Sequence, residues 1–531
     1  MNTRTRNRSI YSVLVVGFVI TALGAPVSAA PTSEFARTSG FRKAVTLAGV
    51  REHQAAFQSF ADDHGGNRVS GGTGGFDDSA EYVHDLMVAA GYDVSYQEFV
   101  FTFVGDRTPP VLAQTAPTPT TYVDGVDFGT MSYSGSGDST AAVTAVDLVL
   151  PPVGPGATTS GCEAADFAGF PAGSLALMQR GTCTFRAKAE NAQTAGASGA
   201  IIFNDGGDAG RQGVIFGTLN PPPMTNFPVV GTTFALGADL ANGVLSGATG
   251  STARLRVDAI AEERSTVNVI AETPEGDASS TIVVGAHLDS VTRGPGINDN
   301  GSGSAAILEV AQVFAQQDRV ARNKIRFMWY GAEEFGLIGS TYYVNSLSED
   351  ELEDIELMLN FDMIGSPNFV RFVYDGDNSA FPVGPGAALG PPGSGAIEEM
   401  FHDYFEARGL PSAETPFSGR SDYGPFIAEG IPAGGLFTGA EGVKTASEAA
   451  AYGGTAGQPY DPCYHLACDT FANNSNVALD TNSDAIAHLV LLFSRRKFDM
   501  NPLVDPAPAA AGVGNSSGGG GHSEDDARIE I

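Results

Sequence analysis

The sequence predicts an α/β protein: a doubly wound, mostly parallel sheet flanked by helices, interrupted by a smaller β-rich insert. Three observations predict it. From Thr266-Val-Asn-Val-Ile270 onward, short apolar runs alternate with helical stretches, the pattern of a parallel sheet covered on both faces. Between Thr108-Pro-Pro and about residue 254 the composition shifts to Pro, Thr, Gly and short β-branched runs. The chain of 531 residues is also too long for one ordinary hydrophobic core, so a large domain with a smaller one is expected.

The chain begins with Arg4, Arg6 and Arg8, an apolar run from Val13 to Leu23, and Ala25-Pro-Val-Ser-Ala29. That is the layout of a secretory signal over 1–29, cleaved after Ala29. The run falls short of the roughly 20 residues that span a bilayer. Residues 30–41 are polar and aperiodic, a pro-segment or a flexible arm. The large domain opens at 42–107, with a helix over 42–60 and a second capped by Asp78, whose apolar face is Val83, Leu86, Met87 and Ala90; a strand follows over 93–101. Residues 108–254 form the insert, with a strand and turn beginning at Ser174, a helix over 186–195 and a buried strand over 200–204. The large domain resumes over 255–500, with strands at 281–285, 324–330, 357–361 and 433–437 and helices at 301–317 and 398–408. Residues 501–531, with Gly518-Gly-Gly-Gly521 and an acidic end, read as a disordered tail.

A net charge of −32, from 61 acidic and 29 basic residues, argues against nucleic acid or an anionic membrane as partner, because long-range repulsion opposes both. A monomer is expected. The four cysteines suit an oxidising compartment, and their spacing lacks the paired CxxC of a zinc site. Three pairings are open. Cys463 and Cys468 flank a tight loop, and Cys162 and Cys183 lie in a separate region, so a local bridge is expected in each.

Reactive side chains follow the strands immediately. The run Thr281-Ile-Val-Val-Gly-Ala leads into His287-Leu-Asp289, Ile325-Arg-Phe-Met-Trp-Tyr into Gly331-Ala-Glu333-Glu334, and Leu357-Met-Leu-Asn-Phe into Asp362-Met-Ile. In an open parallel sheet the carboxyl ends of the strands converge on one crevice, so these groups should meet. Gly294-Pro-Gly-Ile-Asn-Asp299-Asn-Gly-Ser-Gly places Asp299 just before a helix, in a glycine-rich bend where backbone approaches a ligand closely.

His287-x-Asp289, Asp299-Asn-Gly-Ser-Gly, Glu333-Glu334, Asn360-Phe-Asp362-Met and Cys463-Tyr-His465 resemble, in order, the motifs of the M28-type co-catalytic zinc aminopeptidases. Leu436-Phe-Thr-Gly-Ala and Gly453-Gly-Thr-Ala-Gly457 resemble its secreted bacterial, leucyl aminopeptidase-like branch. The 174–204 segment and Phe227-Pro-Val-Val-Gly231 resemble the protease-associated domain often inserted in secreted peptidases. The resemblance implies a zinc-peptidase fold and two Zn2+ ions, with Asp299 bridging them, His287 and Asp362 completing one site, and Glu334 and His465 the other. It also implies a cis peptide between Asp299 and Asn300. Zinc accepts both imidazole nitrogen and carboxylate oxygen. Asp289 is the natural acceptor for the free N–H of His287. Glu333, pointing away from its neighbour Glu334, is left to take a proton from water. Tyr464 matches the family tyrosine that stabilises the oxyanion.

The implied substrate is the N-terminus of a peptide or protein, its amino group held by Glu333 and Asp362. Met363 and Phe437 are candidates for an apolar pocket, favouring large apolar first residues, and Arg420 for the cleft wall. The insert is expected to shape the cleft entrance. A carboxypeptidase of the same catalytic family is the alternative, though no arginine cluster beside the motifs would neutralise a substrate carboxylate; a non-catalytic binding protein on this fold is a further one. Asp480-x-Asn482-x-Asp484 has the opening spacing of a calcium loop but lacks its glycine and distal glutamate, so calcium is a minor expectation.

Overall fold

The structure, a computed structural model, describes residues 33–317, 320–498 and 503–505. Its centre is a continuous sheet of 14 strands. Four neighbouring strands, Ala433–Phe437, Ile355–Phe361, Asp277–His287 and Asn323–Tyr330, run parallel. Successive side chains point to opposite faces of a strand, and both faces here are apolar. Ile282, Val284 and Ala286 pack with Ala305, Leu308, Ile486 and Val490 of the helices Gly301–Gln316 and Asn476–Phe493. Val283 and Met328 face the other way, against Tyr343, Tyr423 and Phe426 from the helices Ile338–Ser346 and Tyr423–Ala428. This is the doubly wound α/β arrangement that the alternating pattern predicts. Phe372–Tyr374 and Ala413–Thr415 extend one side of the sheet.

The other side carries two strands that the sequence does not show at full length. Asp93–Ala116 pairs antiparallel with Gly247–Glu272 from Asp93 opposite Glu272 to Ala116 opposite Thr252. This ribbon runs out of the large domain and becomes one wall of the insert, whose strand Gly137–Ala145 pairs with the start of Gly247–Glu272. The sequence ends the first strand at Phe101 because Pro109-Pro110 reads as a break. The structure instead slips the ladder between Asp106 and Val111, where the missing N–H groups fall, and then resumes pairing. Beyond Gly137–Ala145 lie the parallel strands Leu175–Gln179, Gly199–Phe203 and Val229–Thr232, with the helices Phe185–Thr194 and Phe234–Ala241. The insert has apolar layers of its own, one built on Leu175, Leu177 and Ile201 and the other on Ala176, Met178 and Ile202.

Three local expectations are corrected. The stretch read as a pro-segment or a flexible arm is helical over Ser33–Arg42, which corrects the flexible-arm reading alone, and it packs on the helix Asn476–Phe493 through Thr38, whose Oγ1 lies 2.6 Å from His488 Nδ1. Asp78 does not cap its helix, which spans Gly75–Ala89 and starts after Gly74 at a φ of 117°. A Cβ on Gly75 would lie 2.3 Å from Asn67 O, so only glycine lets the turn close here, and Asp78 instead holds His64 at 2.7 Å. The calcium-like triplet lies inside the helix Asn476–Phe493, where Asn482 donates to Ile364 O and Asp484 pairs with Arg408; it forms no loop. Of the tail, Asp505 accepts from the N–H groups of Gly393 and Ala396 at the start of the helix Ser394–Ala407. The signal reading over 1–29 and the rest of the tail lie outside the described residues.

His488 links the first and last of these helices and generates a prediction. Burial, aided by the nearby Arg42 charge, lowers its pKa to about 4. The fold therefore holds the neutral imidazole, while the unfolded chain takes up a proton near pH 6.5. The contribution is complete above pH 6.5 and lost as the pH falls toward 4, by about 3 kcal/mol. Thermal unfolding measured from pH 7 to 4 should show this loss, and His488→Asn, which keeps a polar atom for Thr38, should flatten the dependence; an equally steep profile would contradict it.

Candidate metal centre

The three parallel strand ends and two loops bring the sequence-predicted groups together. His287 is the last residue of Asp277–His287, Asp362 follows Ile355–Phe361, and Glu333 and Glu334 sit in a turn just past Asn323–Tyr330. Asp299 precedes the helix Gly301–Gln316, joined to Asn300 by a cis peptide bond. That helix begins hard against the neighbouring strand end: a Cβ on Gly303 would lie 2.0 Å from Phe361 O, and Asn300 Nδ2 donates to the same carbonyl at 2.9 Å. His465 arrives on the loop closed by the Cys463–Cys468 disulfide, while Cys162–Cys183 closes a loop of the insert.

Asp299 is the hub. Its Oδ1 lies 3.2 Å from His287 Nε2, and its Oδ2 lies 3.2 Å from His465 Nε2. His287 Nε2 also faces Asp362 Oδ1 at 3.4 Å, and His465 Nε2 faces Glu334 Oε2 at 3.1 Å. Glu333 stands further off, its Oε2 3.9 Å from His287 Nε2. Asp289 Oδ1 is 3.5 Å from His287 Nδ1 and accepts the N–H of Glu333 at 3.2 Å, so it orients both the imidazole and the glutamate turn.

These groups are buried and short of partners. Glu334 Oε1, Asp362 Oδ1 and Asp289 Oδ2 have no hydrogen-bond donor, an expensive condition for a carboxylate oxygen. Burial pushes Glu333 well above the ordinary carboxylate range, and the charges of Asp422, Glu334 and Asp362 add to the push. Burial likewise raises Glu334 to about 7. Burial opposes charge on the histidines, yet the surrounding carboxylates outweigh it, holding His287 well above its usual range and His465 at about 10. Burial alone would raise Asp299, but its two imidazole partners hold it below the carboxylate range. Nitrogen and oxygen donors that converge on both sides of one carboxylate, with orphaned oxygens among them, fit divalent metal.

Of the other expected residues, Tyr464 stacks on His465 with ring centres 3.8 Å apart, and its hydroxyl accepts from Arg420 Nη2 at 3.0 Å. Arg420 Nη1 donates to Glu441 at 2.8 Å, which fixes the guanidinium beside the tyrosine. Met363 is buried in the turn after Asp362, its N–H on Asn300 Oδ1. Phe437 stacks with Phe372 and joins the apolar layer under the sheet.

The sequence reading missed the groups that hold the loops. Asp469 accepts the N–H of Asn298 at 2.9 Å and of Asp299 at 3.0 Å; Asp461 accepts from Asn298 Nδ2 at 2.7 Å and from the N–H of Cys463 at 2.8 Å. The signal was present, since both acids flank the disulfide loop in Asp461-Pro-Cys-Tyr-His-Leu-Ala-Cys-Asp469. Ser421 donates to Asp362 Oδ2 at 2.6 Å and accepts from Asn360 at 2.8 Å.

Fold and donor set together define a metal-dependent hydrolase. Residues 268–490 match the model of peptidase family M28, and residues 143–240 match that of the PA domain. An aminopeptidase of Pseudomonas aeruginosa is 47% identical over 475 residues, covering 89% of this chain and 85% of that protein. Leucine aminopeptidase 2 of Trichophyton rubrum is 41% identical over 477 residues, covering 87% and 88%. Among solved structures, the aminopeptidase from Aneurinibacillus sp. strain AM-1 superposes with a TM-score of 0.63 at 26% identity, over 88% of this chain and 98% of that one. A zinc aminopeptidase from Bacillus subtilis shares the fold, with a TM-score of 0.59 at 24% identity over 83% and 94%. The chain belongs to peptidase family M28.

The Asp469 clamp yields a prediction independent of any ligand. Asp469→Ala leaves two buried N–H groups without acceptors, at about 1–3 kcal/mol each. Urea unfolding should show a stability loss of at least about 2 kcal/mol; an unchanged midpoint would mean that the loop finds other acceptors.

Proposed function

We propose that this aminopeptidase is secreted and removes large apolar residues from peptide N-termini, using water activated at two zinc ions. The single observation that carries the reading is Asp299, each of whose oxygens faces a different histidine. His287, Asp299 and Asp362 would hold one ion, and Asp299, Glu334 and His465 the other. When bound, the pair lowers the pKa of water and polarises the scissile carbonyl.

The rest falls to the chain's own groups. Glu333 is outside both donor sets, which leaves its carboxylate to take the proton from the attacking water and pass it to the departing amine. Glu333 and Asp362 also offer negative charge to the substrate's ammonium group, which selects a free N-terminus. Tyr464 accepts from Arg420, so its own O–H remains to donate to the oxygen that gains charge in the tetrahedral step. Met363 lies beside Asp362 and supports an apolar first-residue pocket, with leucine in the name of the Trichophyton relatives in agreement. The zinc in the name of the Bacillus subtilis structure agrees with the donor set. Secretion is supported by the two disulfides and by the N-terminal Arg-rich and apolar sequence.

Hydrolysis of leucine p-nitroanilide, with metal content measured in parallel, tests the reading. Release should stop with a chelator and return with zinc at two ions per chain, and Glu333→Gln should lower kcat by roughly 10²–10⁴-fold with its zinc retained. Chelator-resistant release, or none at full metal loading, would overturn it. Tyr464→Phe should lower kcat by roughly 10²–10³-fold at unchanged zinc content, as loss of one oxyanion donor does; an unaltered kcat would remove Tyr464 from the mechanism.

A further inference from the structure

The segment before the helix Gly75–Ala89, Gly65-Gly-Asn-Arg68-Val-Ser70-Gly-Gly, has no part in the donor set, yet it touches the loop that follows His287 and the turn that carries Glu333 and Glu334. Arg68 is fully buried. Its guanidinium spends all of its reach on backbone carbonyls: Nη1 donates to Leu288 O, Nε to Pro295 O at 2.9 Å and Nη2 to Gly296 O at 2.6 Å. Leu288 is the residue after His287, and Pro295 and Gly296 begin the bend that ends at Asp299. The main chain adds to the grip. Arg68 N–H donates to Ser290 Oγ at 2.9 Å, Ser290 N–H donates back to Arg68 O at 3.3 Å, and Asn67 Nδ2 donates to Thr292 O at 3.2 Å. Two residues further on, Ser70 Oγ accepts the N–H of Ala332 at 2.8 Å, immediately before Glu333.

We infer that Arg68 is the positioning residue of the metal centre: by joining the carbonyls behind His287 to those ahead of Asp299, it sets the spacing of the two donors. The inference rests on the two-metal reading above. The planar fork of arginine reaches acceptors at both ends of one loop at once, Leu288 at its start and Pro295 and Gly296 near its close, which an ammonium cannot do. Its charge also acts on the carboxylates of Asp289, Asp469, Asp299 and Glu334, so a charge role and a positioning role must be separated. They make opposite forecasts. If only the charge matters, Arg68→Lys behaves as wild type, and Arg68→Met, which removes a repelling cation, binds zinc more tightly. If the fork positions the donors, Arg68→Lys weakens binding although the charge is kept.

The test titrates metal-free protein with Zn2+ against a chromophoric chelator, with near-UV circular dichroism of the same samples to establish native packing. For folded Arg68→Lys we expect at least a tenfold weaker zinc affinity, and a reduced kcat at saturating zinc with KM within twofold, because Arg68 touches no substrate. Wild-type affinity in folded Arg68→Lys overturns the proposal. If that variant does not fold, Ser290→Ala is read in its place, since it loosens the same junction and keeps the cation; weaker zinc binding supports the proposal and wild-type binding overturns it. Zinc uptake by the wild-type chain, measured first in the same titration, tests the metal reading by itself: failure there overturns that reading and this proposal together, whereas normal uptake with an unaffected Arg68→Lys overturns this proposal alone.

Discussion

A carboxylate withdrawn from water is costly unless something positive faces it, and the Asp299 carboxylate is withdrawn with an imidazole on each side. That arrangement constrains most of what surrounds it. The two histidines come from opposite directions, one from a strand end and one from a disulfide-closed loop, so neither can shift without unpairing an oxygen. The remaining carboxylates then face inward with too few cations to balance them, which makes the cluster costly as bare protein and favourable around divalent ions. Burial is what makes the gathered charge costly. In water the same residues would be solvated and would gain little from gathering.

The outer structure is a set of devices for keeping that cluster together. Asp469 and Asp461 tie the cysteine loop to the bend at Asn298 and Asp299, and Ser421 aims Asp362. All of these reach across long stretches of chain to backbone groups or short polar side chains. Each contact is modest, but in a buried network the loss of one member leaves its partner unsatisfied, so the members stand or fall together.

That these residues would meet was legible in the sequence because a parallel sheet places polar groups at a fixed point, the carboxyl end of a strand, and an apolar run announces where that point is. His287, Glu333, Glu334 and Asp362 all obey it. Arg68 was not legible, because its partners are carbonyls 220 to 228 residues away, which every residue has, and Ser421 was not, because an isolated serine gives no sign of the distant Asp362 it meets; Asp461 and Asp469 left only their places beside the two cysteines as a signal. The fold shows the same division. Alternating apolar runs gave the central strands nearly residue by residue, whereas the ribbon Asp93–Ala116 was cut short at Pro109-Pro110. Proline ends a central strand, but this strand shifts its register at Pro109-Pro110 and resumes pairing at Val111 opposite Arg256.

That ribbon also bears on how the insert meets the site. The strands Asp93–Ala116 and Gly247–Glu272 belong to both parts of the sheet, so the insert is held by two main-chain connections paired along their length and not by a flexible tether. A second contact lies beside the metal-centre loops: Arg293, between His287 and Asp299 in sequence, stacks on Phe216 at 4.4 Å and pairs with Asp124 at 3.5 Å, both from the insert. A module fixed at its base and again next to the donors cannot swing aside freely.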